Sequence, residues 1–177
     1  MNTVILIPAR YQSSRYPGKP LVPLKGAGGA AKPLIQRSVE AARRVAGITG
    51  VFVVTDDDRI AEACAPANVG VIMTSPECRN GTERCAEALA SLHEPDLIIN
   101  FQGDALLTPA GFVEALISRM EHDSDAMVAV LPTSLDINDS LEEILAALGR
   151  AERKLVGVVL DELTPAAQTR QRGRQYA

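Results

Sequence analysis

The sequence predicts an α/β domain built on a doubly wound, mostly parallel sheet. Three observations carry that prediction. Short uninterrupted apolar runs rich in Val and Ile recur along the chain. Segments with apolar residues at helical spacing separate them, and Pro, Gly or Asp stands where the runs end. Short strands alternating with helices build parallel sheets, and a strand covered by helices on both faces has no reason to alternate apolar with polar residues.

Residues 3–7 form the first such run, ended by Pro8, and are predicted as the central strand. Residues 10–25 hold Pro17, Gly18, Pro20 and Pro23 among polar side chains, which predicts a long loop. From 32 to 46 the apolar positions Leu34, Ile35, Val39, Ala42 and Val45 lie on one helical face, and 51–55 is again a buried-strand run, completing a β-α-β unit. The alternation continues with a helix at 57–64, a strand at 69–73, a helix at 82–92, a strand at 97–101, a helix at 109–120 and a strand at 126–131. A helix at 140–148 and a last strand at 155–160 follow. The domain is expected to span 1–163. Residues 164–177 are expected to be a disordered or partner-held tail, because the Gln/Arg-rich end has little to bury. The chain contains no internal repeat.

The 177 residues, 46% hydrophobic and 23% charged, fit one globular domain. Lys and Arg number 18 against 22 Asp and Glu, a net charge of −4 with no basic stripe, and aromatics are 3% with no Trp. That balance argues against nucleic acid as a partner, since the sequence has neither a basic stripe for a nucleic-acid backbone nor the aromatics of a base-stacking platform. Cys64, Cys78 and Cys85 follow no metal-ligand spacing and lie far in sequence from His93 and His122, so they read as free thiols in a reducing cytoplasm. No apolar run approaches the ~18 residues of a membrane span and the start lacks a leader pattern, so no membrane insertion is expected.

In an open α/β sheet, ligands bind beyond the carboxyl ends of the strands. Residues 8–19, 74–84 and 102–104 occupy such places. The first segment gathers Arg10, Arg15 and Lys19 around Gly18, which suits a polyphosphate: Arg offers bidentate contacts, Lys a movable charge, and Gly close backbone approach. A solvated basic loop has the same composition. It is not a Walker loop, because Gly18-Lys19 is followed by Pro20.

Gly26-Ala27-Gly28-Gly29-Ala30-Ala31 formally matches a dinucleotide fingerprint, with Asp56 as the ribose acid. That motif must directly follow a central strand, and Pro20 and Pro23 exclude one here, so the run reads as a flexible insertion. Asp104, after Gly103 at a strand end, suits Mg²⁺ against triphosphate oxygens, although a Gly-Asp pair is also an ordinary turn. Asp56-Asp57-Asp58 reads as the cap of a helix N-terminus. Cys78 and Cys85 read as packing residues rather than nucleophiles.

Four blocks together resemble the CMP-sugar synthetases, in particular those acting on 3-deoxy-manno-octulosonate (Kdo). They are Ile7-Pro8-Ala9-Arg10-Tyr11-Gln12-Ser13-Ser14-Arg15-Tyr16-Pro17-Gly18-Lys19-Pro20-Leu21, Val54-Thr55-Asp56-Asp57, Met73-Thr74-Ser75 with Asn80-Gly81-Thr82-Glu83-Arg84, and Asn100-Phe101-Gln102-Gly103-Asp104. The resemblance implies a nucleotide-diphospho-sugar-transferase-like, Rossmann-like fold. It also implies Mg²⁺-dependent transfer of CMP from CTP to the anomeric hydroxyl of an acidic sugar, with release of pyrophosphate, for lipopolysaccharide synthesis. By that resemblance Arg10, Lys19 and Asp104 are the catalytic residues, Arg10, Ser14 and Lys19 contact phosphates, Arg15 supports their loop, and Asp104 holds Mg²⁺. Pro8 and Ala9 border the nucleotide, Thr74, Asn80, Gly81 and Thr82 line cytosine and ribose, and Gln102 lies near nucleotide and sugar.

The chain departs from the family pattern at Cys78 and Asn80, where His and Ser are usual, and at Ala105-Leu106, where Glu-Pro is usual. Residues 27–31 resemble an insertion, and 164–177 match nothing in the family. The expectation is therefore a fold cut short at its C-terminus, without the segment that binds sugar, builds much of a homodimer contact and supplies a second metal-binding Asp. A CTP-binding relative without turnover, and a synthetase for another acidic sugar such as a sialic acid, are the alternative readings.

Overall fold

The computed structural model describes residues 1–12, 16–104 and 106–122, together with the backbone of two strands at 128–130 and 154–158. Strand β1 (Thr3–Ala9) is buried along its whole length. It pairs in parallel with β4 (Gly50–Thr55) on one side and β6 (Leu97–Phe101) on the other. Beyond β4 lies β5 (Gly70–Met73), and beyond β6 lie β8 (Lys154–Val158) and then β7 (Val128–Val130). Every pairing in this six-stranded sheet is parallel.

The chain winds outward from β1 through β4 to β5, then returns to the other side of β1 as β6. That reversal leaves a crevice between the carboxyl ends of β1, β4 and β6, the switch point at which open α/β sheets bind ligands. It is the feature of the fold that positions the site.

The two faces follow from the period of two along β1. Ile5, Ile7 and Ala9 join Ile35 and Val39 of α1 (Leu34–Ala42), Ile60 of α2 (Asp58–Cys64) and Val113, Ile117 and Met120 of α4 (Ala110–His122) in the larger core. Val4 and Leu6 point the other way, onto Cys85 and Ala88 of α3 (Gly81–Ala88). Both faces of the strand are thus covered, as its uninterrupted apolar run requires.

Differences from the sequence expectation lie at element ends and in one loop. Helix α1 starts at Leu34, after Pro33, because Lys32 belongs to a strand. Helix α3 ends at Ala88 and tightens into a 3₁₀ turn at Leu89–Ser91. The segment expected to be loop and flexible insertion contains a β-hairpin: β2 (Pro23–Lys25) pairs antiparallel with β3 (Ala31–Pro33). Its turn is closed by Gly26 N–H to Ala30 O (3.1 Å) and Gly29 N–H to Gly26 O (2.9 Å), with Gly29 at φ 78°. Proline excludes a central strand, but Pro23 and Pro33 lie opposite each other at the end of a two-stranded ribbon, where a missing N–H is tolerated. This hairpin turn, not a strand-to-helix turn, holds the glycine-rich run, so the dinucleotide fingerprint has no structural counterpart.

The predicted strands at 126–131 and 155–160 are present over 128–130 and 154–158. The helix at 140–148, the boundary at 163 and the tail lie outside the described residues. No described helix is long and apolar enough to cross a membrane.

Candidate functional site

At the crevice, the segments after β1, β4, β5 and β6 meet. Arg10, exposed just beyond β1, donates from Nη1 to the carbonyl of Arg79 (3.4 Å), joining the first segment to the loop before α3. The loop then folds back on itself: Gly18 N–H donates to Tyr11 O (2.8 Å), and Gly18 adopts φ 72° with the Tyr11 ring where a Cβ would sit, 3.1 Å away. Glycine is required there on both counts. The Arg59 guanidinium lies 3.4 Å over the Tyr11 ring and pairs with Asp57 (2.6 Å), bracing the loop against α2.

That fold delivers Lys19 to the start of a 3₁₀ turn (Lys19–Leu21), anchored by buried Pro20. Its Nζ lies 2.5 Å from Asp104 Oδ2, with the two side chains 47% and 46% exposed. Two residues picked separately from the sequence are therefore brought together across the crevice. Ser14 and Arg15 lie outside the described residues, as does Ala105.

Asp104 is held by its neighbour. A Cβ on Gly103 would stand 2.9 Å from the carbonyl oxygen of Pro8, so the ends of β1 and β6 approach as closely as glycine permits. From the opposite side the buried Ser38 hydroxyl donates to Gly103 O (2.5 Å). Gln102 donates from Nε2 to Asn100 Oδ1 (3.1 Å), and Asn100 donates from Nδ2 to the Thr82 hydroxyl (3.3 Å), which orients Gln102 toward α3. Gly81, at the start of α3, sits against Pro8, where its Cβ would be 3.0 Å from the ring. Pro8, Gly81, Thr82 and Gln102 thus share one wall.

Asn80 caps α3, accepting from Glu83 N–H through Oδ1 (2.9 Å), so this departure from the family pattern serves the helix terminus. The acidic trio divides. Asp57 caps α2 by accepting from Arg59 N–H (3.0 Å) and Asp58 stands in the first turn, but Asp56 does not cap: it faces Arg84 at 3.2 Å. Arg84 is 2% exposed and also donates to the Thr74 hydroxyl (2.5 Å). Residue type alone gives Arg84 no role in the sequence. Its signal was helical phase, since Gly81, Arg84, Cys85 and Ala88 share the inward face of α3.

The loop between β5 and α3 is tied by carboxylates. Glu87 accepts from Ser75 N–H (2.7 Å) and the Cys78 thiol (3.1 Å), and those two bonds, the thiol first, hold its carboxyl below the usual range. Glu83 is lowered by Arg79, through the side chain and the backbone N–H. Burial pushes the Cys64 and Cys78 thiols up to about 11, with Glu87 adding to the shift at Cys78, and burial raises Cys85 as well. All three stay protonated at neutral pH and supply no thiolate nucleophile.

The sign of the pH response follows. A carboxylate lowered in the folded state contributes stability that is present above its ordinary range and is lost as pH falls through the lowered value. Glu40, Asp57, Glu83 and Glu87 are all lowered. The melting temperature is therefore expected to be level near neutrality and to fall once pH drops into the ordinary carboxylate range and below. A melting temperature that rises on acidification overturns this.

Among the described residues no group of three or more His, Cys, Asp or Glu gathers for a metal. Asp104 offers one half-exposed carboxylate that already faces a positive charge. That donor set fits a hard cation such as Mg²⁺, which takes its other ligands from phosphate oxygens and water.

Residues 4–147 match the family described as cytidylyltransferase. The chain is 43% identical over 142 residues to the mitochondrial 3-deoxy-manno-octulosonate cytidylyltransferase of Arabidopsis thaliana, covering 80% of this chain and 47% of that protein. It is 45% identical over 134 residues to an 8-amino-3,8-dideoxy-manno-octulosonate cytidylyltransferase of Shewanella baltica, covering 74% and 53%. A CMP:2-keto-3-deoxy-manno-octonic acid synthetase solved in complex with CTP superposes with TM-score 0.67 at 39% identity, over 73% of this chain and 52% of that one. A cytidylyltransferase from Leptospira borgpetersenii superposes with TM-score 0.65 at 17% identity over 93% and 78%, a likeness of fold. The chain spans about half the length of the curated relatives it matches.

Proposed function

Because this chain belongs to the cytidylyltransferase family, we propose that it transfers CMP from CTP to the anomeric hydroxyl of Kdo or a related acidic sugar. The observation that carries the reading is the meeting of Lys19 and Asp104, 85 positions apart in sequence, at the switch-point crevice. A movable cation beside a carboxylate is what a triphosphate with its counterion needs: Lys19 would face the phosphates and Asp104 would hold the cation.

The sugar hydroxyl oxygen bonds to the α-phosphorus, the bond to the bridging oxygen breaks, pyrophosphate leaves and the hydroxyl proton passes to solvent. Such a transfer depends on positioning and charge neutralisation, not on a protein nucleophile. Arg10 and Lys19 bind and orient the phosphates, with Ser14 and Arg15 proposed beside them. Asp104 holds Mg²⁺, which when bound supplies charge neutralisation at the transferring phosphoryl group. Pro8, Ala9 and residues 74–82 border cytosine and ribose, and Gln102 faces the sugar. On this reading the product serves lipopolysaccharide synthesis, and the three free cysteines are in keeping with a reducing cytoplasm.

The test is pyrophosphate release from CTP and Mg²⁺ with and without Kdo. Kdo-dependent release is the expected result. CTP binding without release assigns the chain instead as a CTP-binding relative without turnover, and release with a sialic acid but not Kdo reassigns the sugar.

A further inference from the structure

We propose that Arg84 and Glu87 are positioning residues that make the loop between β5 and α3 select cytosine over uracil. The proposal rests on the reading above that this loop borders the base, and concerns how it discriminates.

Arg84 is a charged side chain 2% exposed, and burying a guanidinium is costly unless it is paired and hydrogen-bonded. Its partners all lie at strand ends. Asp56 Oδ2, just after β4, is at 3.2 Å, while the Thr74 hydroxyl and Ser75 carbonyl, just after β5, are at 2.5 and 3.5 Å. The Thr74 hydroxyl in turn donates to Thr55 O (3.1 Å), so it is engaged within the protein on both its donor and an acceptor side. Arg84 therefore locks the first residues of the loop to the end of β4.

Glu87, one turn further along α3, takes Ser75 N–H and the Cys78 thiol, and Glu83 takes Arg79 N–H (2.7 Å). Thr74 N–H goes to Thr55 O (2.9 Å), Glu77 N–H to the Ser75 hydroxyl (3.1 Å) and Cys78 N–H to Ser75 O (3.4 Å). Pro76 has no N–H. Every backbone donor from 74 to 79 is thus spent inside the protein, and over these residues the backbone groups left to a ligand are carbonyl acceptors. Cytosine carries an exocyclic amine that donates to such a carbonyl. Uracil carries a carbonyl at the same position and would leave two acceptors facing each other, a mismatch that polar sites reject strongly.

The experiment is calorimetric titration of the full chain with CTP and with UTP, each with Mg²⁺, for the parent, Arg84→Lys and Glu87→Gln. Thermal melts are run alongside. Lysine lacks the planar fork that holds Asp56, the Thr74 hydroxyl and the Ser75 carbonyl together, so that variant loosens the start of the loop, whereas glutamine keeps one acceptor of two, so that variant frees the Ser75 N–H or the Cys78 thiol. The parent is expected to prefer CTP, and each variant to lower the CTP-to-UTP affinity ratio at least about fivefold. A purely structural role would weaken both nucleotides together, in step with the melting temperature. A parent that prefers CTP and variants that keep its ratio overturn the role of Arg84 and Glu87 alone. A parent that binds both nucleotides equally overturns the discrimination, and one that binds neither overturns the functional reading with it.

Discussion

Asp104→Asn is expected to fold as the parent does and to lose at least about 100-fold in Kdo-dependent pyrophosphate release. The substitution keeps the shape and removes the charge. Asp104 is the carboxylate that faces Lys19 in the crevice, and an amide does not offset the charge of a divalent cation on a triphosphate. Folding should be spared because both partners are about half exposed, and such surface pairs contribute about 0–1 kcal/mol. Initial rates and thermal melts on the same preparations check both halves. A rate within about twofold of the parent would remove Asp104 from the reaction, whereas loss of the melt transition would make it structural.

Gly103→Ala is expected to damage stability and activity together. The added methyl would sit 2.9 Å from the carbonyl oxygen of Pro8, a backbone atom that cannot swing aside as a side-chain tip does. Ser38 holds the Gly103 carbonyl from the other side, so the strain is not relieved by a simple slide. Overpacking of this kind costs roughly 1–3 kcal/mol. Relief by parting β1 from β6 would move Asp104 away from Lys19, and misplacement by about 1 Å can cost on the order of 100-fold in rate. Denaturant melts and initial rates test this, and a variant equal to the parent in both would show that the close approach is dispensable.

The central strands were readable because burial on both faces imposes a local composition. Ile5, Ile7 and Ile99 are fully buried, and on their face of the sheet no polar residue interrupts the runs; Asn100, on the other face of β6, is buried with its amide bonded to Thr82 and Gln102. The β2–β3 hairpin was not readable: its residues are exposed or half-exposed, and backbone pairing rather than an apolar stripe holds it, so prolines and glycines suggested loop. Helix ends depart from the periodicity where a terminal turn tightens instead of stopping, as at Leu89–Ser91.

At the crevice, the places of Arg10, Lys19 and Asp104 are legible from residue type and from the segments that follow predicted strands. Those of Arg84 and Asp56 are not, because a charged residue in a sequence reads as solvated or as a helix cap. Only the seating of α3 over the ends of β4 and β5 makes them a buried pair. The chain's local pattern by itself determined the order of strands and helices, the central place of β1 and the segments that border the crevice. The tertiary structure alone decided the strand order, the 2.5 Å meeting of Lys19 with Asp104, and the consumption of the backbone donors from 74 to 79 in the loop after β5. Periodicity reports which face of a segment is buried, whereas these pairings depend on the reversal of winding at β1, which brings distant segments together without leaving a mark on the composition of either.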